Sequence, residues 1–248
     1  MENEILNKYE EWHRNYNVNI VEKDELKLMI WHKTVLDVLI PFGVTGKKIL
    51  DVGCGNGDLD NYLAINYKSD IVGVDFSNES IKIAKEKKEK FNAVTNKFIV
   101  ADAQQLPFEN SSFDYVISCE CLEHVPDPQK MIDELYRVVK KDGIVILTTE
   151  NYSNAYAYYI TFLKLIGKKF DSGSGVQPLE HFFVYWKVRK KFLKAGFQQV
   201  KTLSKQYVML LVPGTAPSTF TIDEVKNNFL KVLLKPFGRR FTYIAKKS

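Results

Sequence analysis

A glycine-rich turn at residues 53–57 contains the residue types best suited to binding a ligand. It reads Gly53-Cys54-Gly55-Asn56-Gly57 and follows the apolar segment 49–52, whose single acid is Asp51. Glycine lacks a Cβ atom, so glycines at alternate positions allow bare backbone to approach a ligand. A helix that starts after such a turn directs its free N–H groups at the same place. The spacing therefore predicts a binding site built from a strand, a turn and a helix.

Further acids follow predicted strands, and the glycine spacing differs from that of a dinucleotide site. The dinucleotide fingerprint is Gly-x-Gly-x-x-Gly, whereas the third glycine here comes one residue earlier. Asp75 ends the second predicted strand, where a carboxylate can accept hydrogen bonds from both hydroxyls of a ribose. Asp102 and Ala103 follow the third predicted strand, where an acid can accept from an adenine amino group. Each acid alone is more often a turn residue or a helix cap, but their order favours one shared ligand.

Three stretches resemble motifs of the class I, Rossmann-like S-adenosylmethionine (SAM) methyltransferases: residues 49–57, 106–108 and 112–117. The resemblance covers about residues 35–150 well and the remainder loosely. It implies that SAM is the cofactor, that Asp51 organises the turn and the ammonium group of SAM, and that the glycines make room for its methionine and ribose. The cofactor-binding residues that it implies are Asp51, Gly53, Cys54, Gly55, Gly57, Asp75, Phe76, Asp102, Ala103 and Cys119.

The segment 119–128 follows the fourth predicted strand, at the sheet edge where doubly wound folds bind ligands. It lacks the Asn/Asp-Pro-Pro-Tyr/Phe motif of methyltransferases that act on adenine or glutamine nitrogens. It instead resembles the small-molecule methyltransferases of type 11, which are related to the ubiquinone-biosynthesis O-methyltransferases. In those proteins Glu-x-x-Glu-His at this place is associated with a divalent metal, and the matching residues are Glu120, Glu123 and His124.

Two functional roles remain open for these three residues. If they share one face of a helical turn, they could hold Mg²⁺ or another divalent cation, which would lower the pKa of a bound substrate hydroxyl. Without a metal, His124 is a candidate general base beside Glu123, although in many metal-free relatives the glutamate caps backbone and the histidine lines the pocket. His181 is the third catalytic candidate, because relatives often carry a histidine there near the substrate; a surface or capping role is the alternative.

Strand-like and helix-like segments alternate from residue 48 to residue 149. Near-continuous apolar strands separated by helices predict an α/β fold with a doubly wound, mostly parallel, seven-stranded Rossmann-like sheet. The aromatic segment 152–170 could be core packing, but we expect a lid over the acceptor. We expect one domain over residues 1–248, divided into an N-terminal helical cap (1–45), a SAM-binding core (46–150), a lid insertion (151–180) and a C-terminal part of the sheet with a helical insertion (181–248).

Composition narrows the class of protein. The 248 residues carry a formal net charge of +5, and their N-terminus is acidic, unlike a signal peptide. No apolar run approaches the ~20 residues that span a bilayer, so we expect a cytoplasmic protein without a membrane span. The three cysteines, an odd number without zinc spacing, are expected to be reduced thiols.

We therefore expect a SAM-dependent methyltransferase of a small molecule, aromatic or apolar, with a hydroxyl oxygen as the methylation site. The sulfonium needs little activation, so catalysis should consist of alignment and removal of a proton from the acceptor. Two alternatives stay open. The lysine clusters would suit an RNA methyltransferase, although lysine-rich helices are more often simply solvated and we do not expect a nucleic acid partner. The other is a SAM-binding regulatory subunit without turnover. The sequence leaves monomer and homodimer equally open.

Overall fold

The strands form at the predicted places. The computed structural model describes residues 7–12, 14–15, 25–168, 178–209, 217–221, 234 and 237–248. Its strands are β1 (Lys48–Val52), β2 (Asp70–Asp75), β3 (Asn96–Val100), β4 (Phe113–Cys119), β5 (Val139–Glu150), β6 (Gln199–Leu203), β7 (Gln206–Met209), β8 (Ser218–Thr221) and β9 (Arg240–Lys246).

Seven of these strands make one sheet, in the order β3-β2-β1-β4-β5-β9-β6. The first five pair in parallel, whereas β9 is antiparallel to both β5 and β6. The prediction of a doubly wound, mostly parallel, seven-stranded sheet is therefore confirmed. β7 and β8 form a separate antiparallel pair, which the sequence pattern did not predict.

The helices cover the sheet and begin at predicted caps. The side chain of Ser77 accepts a hydrogen bond from the N–H of Ser80 at 3.2 Å, and Asp127 caps the helix after β4 in the same way. None of the described helices combines the length and the apolarity that crossing a membrane requires. The helices are α1 (the described residues 7–12 and 14–15), α2 (Ile30–Leu39), α3 (Asp58–Tyr67), α4 (Asn78–Lys90), α5 (Pro128–Val138), α6 (Ala155–Leu165) and α7 (Tyr185–Ala195).

Helix boundaries differ from those that the sequence pattern predicts, and some predictions fall outside the described residues. Asp142-Gly143 predicts the end of the helix that starts at Pro128, but this helix ends at Val138 because Val139 adopts extended backbone and pairs with Phe113 of β4. The predicted loop at 171–175 and nearly all of the predicted helical insertion at 222–234 lie outside the described residues. The lid insertion is described at 151–168 and 178–180.

Asp51 of β1 is buried beneath the glycine turn, against Asp60 of α3. Burial raises the pKa of Asp51 well above its ordinary value, and the neighbouring Asp60 raises it further. Burial likewise raises the pKa of Asp60 from 3.8 to about 7, while its hydrogen bond with Asp51 partly opposes the shift. The two carboxyl groups therefore retain protons that they would lose in the unfolded chain.

This pair should make the protein less stable as the pH rises. Between about pH 4 and about pH 7 the folded state binds more protons than the unfolded state, so the free energy of unfolding falls with rising pH in that window. We expect Asp60→Asn to reduce the decrease in the free energy of unfolding across this pH window by roughly 2–4 kcal/mol, since one pKa unit corresponds to about 1.4 kcal/mol. Urea unfolding at several pH values measures the slope. Asp70→Asn, which changes an exposed carboxylate, is the control, and an unchanged slope in Asp60→Asn would contradict the assignment.

Candidate functional site

A cavity of about 530 Å³ opens at the carboxyl edge of the parallel strands. Its walls combine the ends of β1, β2 and β4 with residues of α1 and α2. The predicted site residues that line it are Gly53, Cys54, Gly55, Asp75, Phe76, Asp102, Ala103, Cys119, Glu120, Glu123 and His124.

Backbone hydrogen bonds fix the glycine turn on the end of β2. The N–H groups of Gly53 and Cys54 both donate to the carbonyl of Val74, at 2.8 and 3.0 Å. The N–H of Gly55 donates to Oδ2 of Asp75 at 3.0 Å. Because these bonds lie within the protein, the shape of the turn does not depend on a ligand.

The glycines of the turn have different surroundings. Gly55 has φ +51°, and no atom lies within 4 Å of the position that a Cβ would take, so this backbone faces open space in the cavity. Gly57 has φ +69°, but a Cβ there would lie 2.6 Å from the ring of Phe98 and 2.9 Å from Ala84. Gly57 lies outside the cavity lining. Its lack of a side chain lets α3 approach β3 and α4, and its contact with the cofactor stays a prediction.

The two carboxylates at the ends of β2 and β3 reach the cavity, as predicted. Asp75 accepts hydrogen bonds from the N–H groups of Gly55 and of Ser77, the latter at 2.9 Å. Asp102 is exposed and accepts from the N–H of Gln104 at 2.8 Å. A carboxylate offers about four acceptor positions, so both residues retain positions for the hydroxyl and amino groups of a ligand. These residues therefore fit the ribose and adenine of SAM.

Asp51 lies beneath the glycine turn. It is buried and lies outside the cavity lining, because its side chain points from β1 toward Asp60. This position fits the predicted role in organising the turn, and the contact with the ammonium group of SAM stays a prediction.

The aromatic cover of the cavity comes from the N-terminal helices. Its rings are those of Tyr9 and Trp12 in α1 and Trp31 in α2, with Phe76 opposite Tyr9 at a ring distance of 5.4 Å. The lid segment was expected to supply these rings, yet none of its described aromatic side chains, at residues 152–168, lines the cavity. His32 also lines it, and burial lowers its pKa to about 4, so this imidazole is neutral near pH 7.

Polar contacts hold α1 over the cavity at both sides. Glu10 accepts hydrogen bonds from the N–H of Asn78 at 2.6 Å and from the hydroxyl of Ser77 at 3.1 Å. Asn78 is the first residue of α4, and Ser77 is its N-cap. On the other side the hydroxyl of Tyr9 donates to the carbonyl of Leu179. The N-terminal helix thus connects the cofactor side of the cavity with the second half of the chain.

An ion cluster forms the other end of the cavity, around Arg240 of β9. Its guanidinium donates to Glu120 at 2.5 Å and to Glu150 at 2.7 Å, and it lies 4.4 Å from the ring centre of Trp31. Burial opposes the charge of Arg240, but the two carboxylates outweigh burial and raise its pKa. The sequence analysis missed Arg240, although pairing of β9 with β5 places it directly opposite Glu150.

A tyrosine extends this cluster. The hydroxyl of Tyr152 lies 2.7 Å from Oε2 of Glu150 and 2.7 Å from Oε1 of Glu180, and both glutamates line the cavity. Burial, followed by the charges of Glu150 and Glu180, raises the pKa of Tyr152, so the phenol itself remains protonated.

The predicted metal site is not formed. Leu122–His124 is a 3₁₀ turn, and Glu120 precedes it with φ +52°, so the three candidates do not share one helical face. The carboxylate of Glu120 is already paired with Arg240, and the hydroxyl of Thr149 donates to Glu123 at 2.8 Å. Within the described ranges no group of three or more His, Cys, Asp or Glu side chains has a metal-binding arrangement. These residues do not fit a divalent cation.

The two predicted histidines lie in different environments. Nδ1 of His124 lies 3.0 Å from the carbonyl oxygen of Leu179. A carbonyl oxygen only accepts, so Nδ1 carries the hydrogen of this bond, and in the neutral imidazole the lone pair is on Nε2. His124 lines the cavity. Nε2 of His181 makes the equivalent bond to the carbonyl of Val125 at 3.0 Å, outside the lining. His181 thus contacts the 122–125 turn, also through its N–H on the carbonyl of Glu123 at 2.8 Å, and its predicted catalytic role stays a prediction.

Glu123 reaches the cavity from a buried position. Burial, and after it the charge of Glu120, raises the pKa of Glu123 well above its ordinary value. Burial does the same to the thiols of Cys54, Cys119 and Cys121, which are all free and also line the cavity. Burial thus favours the uncharged forms of these groups along the wall between the turn and His124.

Comparison with known proteins identifies the family. A family model described as "Methyltransferase domain" matches residues 50–147. A demethylmenaquinone methyltransferase of Oceanobacillus iheyensis is 35% identical over 173 residues, which are 64% of this chain and 73% of that protein. The chain belongs to the class I SAM-dependent methyltransferases. A second relative of this family, a demethylmenaquinone methyltransferase of Staphylococcus aureus (strain JH9), is 32% identical over 75% of this chain and 80% of that protein.

A solved methyltransferase shares the fold at low sequence identity. It is a SAM-dependent methyltransferase from Thermotoga maritima, described as a possible histamine N-methyltransferase, with a TM-score of 0.60 and 18% identity. The match covers 99% of this chain and 97% of that one. As in the family, SAM is the methyl donor of this methyltransferase, and the residues at the glycine turn, Asp75 and Asp102 fit that donor.

Substitution of two glycines by alanine should separate binding of SAM from stability. In Gly55→Ala the new methyl group enters the cavity, so we expect SAM affinity to fall roughly tenfold or more while stability falls by about 1 kcal/mol from backbone strain. In Gly57→Ala the methyl group meets Phe98, and we expect a loss of about 2–4 kcal/mol of stability from strain and overpacking. Calorimetric titration with SAM and urea unfolding measure the two effects. Equal SAM affinity in Gly55→Ala and the wild type would contradict this site.

Proposed function

We propose that this methyltransferase transfers the methyl group of SAM to a small, apolar, ring-shaped acceptor after removing a proton from a ring hydroxyl. The observation that carries the proposal is the tautomer of His124, whose Nδ1–H is held by the carbonyl of Leu179 at 3.0 Å. The lone pair on Nε2 is then available in the cavity, which is the requirement for a general base.

The surroundings of His124 support this role. Glu123 is buried, which raises its pKa and favours the protonated form that can donate a hydrogen bond to the acceptor oxygen. Tyr9 of α1 packs against the imidazole with a ring distance of 6.0 Å, so α1 shields this end of the cavity from water. Arg240 pairs with Glu120 and Glu150, so their charges are compensated within the cavity wall.

The class of acceptor follows from the shape of the site and from the relatives. Tryptophan and tyrosine rings on α1 and α2 present flat apolar surfaces, which suit a ring. The curated relatives are named for demethylmenaquinone, a quinone, and a quinone ring carries hydroxyl groups in its reduced form. Loss of a hydroxyl proton would activate either the oxygen, which the sequence favours, or an adjacent ring carbon.

The product of the reaction distinguishes oxygen from carbon methylation. The protein is incubated with SAM and a soluble reduced quinone, and the product is examined by mass spectrometry and NMR. A mass gain of one methylene with a new methoxy signal supports oxygen, and a new ring-methyl signal supports carbon. Absence of any methylated product from hydroxyl-bearing rings would contradict the proposed acceptor class.

The two histidines provide a matched test of the general base. We expect His124→Gln to lower kcat by roughly 100-fold, in the range for loss of a general base, and to remove the acidic limb of the pH–rate profile. The control is His181→Gln, which keeps a donor for the carbonyl of Val125 and should leave kcat nearly unchanged, because His181 lies outside the cavity lining. SAM affinity should be unchanged in both variants. A kcat close to wild type in His124→Gln would contradict the role.

A further inference from the structure

Helix α6 is apolar on two opposite faces. One face packs against the protein through Ile160 and Leu163, which are buried. On the other face Tyr158, Phe162 and Leu165 are 75%, 40% and 82% exposed. Their spacing of i, i+4 and i+7 puts them in one stripe along the helix. A contiguous exposed stripe of large apolar side chains marks an interaction surface.

The charged side chains of the segment that carries this stripe are all positive. Residues 151–170 contain no acid and three lysines. Of these, Lys164 and Lys168 are described and exposed, and the Nζ of Lys164 lies 5.5 Å from the ring centre of Phe182, itself 45% exposed. Apolar and aromatic side chains rimmed by lysines are the composition of a helix that lies in a bilayer interface, where lysines attract anionic headgroups.

The stripe is connected to the acceptor end of the cavity through a single ring. Phe182 packs edge-on against Tyr152 at a ring distance of 4.7 Å. The hydroxyl of Tyr152 in turn binds Glu150 and Glu180, which line the cavity. A molecule that leaves a bilayer at this surface would therefore arrive beside the proposed acceptor end.

We propose that the α6 face, defined as Tyr158, Phe162, Leu165, Ile166 and Phe182, docks on an anionic lipid bilayer. There it receives an apolar acceptor; this second part rests on the proposed function. A second copy of the chain is a poorer occupant, because pairing two such faces would bring lysines of the same charge together without an acid in residues 151–170. The docking is peripheral, through an 11-residue helix that already packs on the protein by its other face.

Vesicle co-sedimentation of the full chain tests the docking. We expect binding to phosphatidylcholine vesicles that contain phosphatidylglycerol, weaker binding to phosphatidylcholine alone, and weakening with salt. The double variant Tyr158→Glu/Leu165→Glu should lower the partition coefficient by at least about tenfold, from lost apolar burial and added negative charge. The matched control is Val94→Glu, which places the same charge at a 73% exposed apolar residue between α4 and β3 and should bind like the wild type.

Three results would overturn the docking proposal. They are the absence of binding to anionic vesicles at low salt, equal binding by the double variant and the wild type, and a concentration-dependent dimer in sedimentation velocity that the double variant abolishes.

Activity on a soluble reduced quinone distinguishes failure of the docking proposal from failure of the proposed function. The double variant should keep wild-type kcat on that soluble acceptor. Vesicle binding without methyl transfer would contradict the proposed function alone, and methyl transfer without vesicle binding would contradict the docking alone.

Discussion

The attachment of the glycine turn to the end of β2 is the constraint on which the site depends. Two consecutive N–H groups share the carbonyl of Val74, and the next glycine N–H binds the carboxylate of Asp75. These bonds place the open backbone at Gly55 beside the acid that faces a ribose. The parallel pairing of β1 with β2 and β4 then brings the loops after all three strands to the same edge. The donor side of the cavity is thus fixed by main-chain hydrogen bonds.

The acceptor side is assembled from segments that are far apart in the chain. α1 contributes aromatic rings and is anchored through Glu10 to the start of α4, while β9 contributes Arg240 from near the other end. Arg240 holds two carboxylates that would otherwise repel each other at the cavity wall. The same guanidinium occupies the place where the sequence suggested a metal cation, so the acidic residues there serve an internal ion cluster. His124 is the general base that we propose on this side of the cavity.

The sequence predicted the strands and the residues at one edge of the sheet because these signals are local. The strands, the glycine turn, Asp75 and Asp102 each follow from a short pattern of apolar residues, glycines and acids. The sequence did not predict contacts that depend on which residue lies opposite another in space. Asp51 and Gly57 belong to the same motif as Gly55, yet one faces Asp60 and the other packs against Phe98. The roles of His181 and of the lid aromatics were predicted from residue type and position in the chain. Arg240 and Tyr9 enter the site only through tertiary packing.

A crystal structure of the protein with S-adenosylhomocysteine tests the central claim most directly, because the product occupies the same place as the donor. The account predicts ribose hydroxyls within hydrogen-bond distance of Asp75, adenine near Asp102, backbone of the 53–55 turn against the homocysteine portion, and the sulfur facing His124. A ligand bound elsewhere, or one in the cavity with its sulfur directed away from His124, would contradict the account.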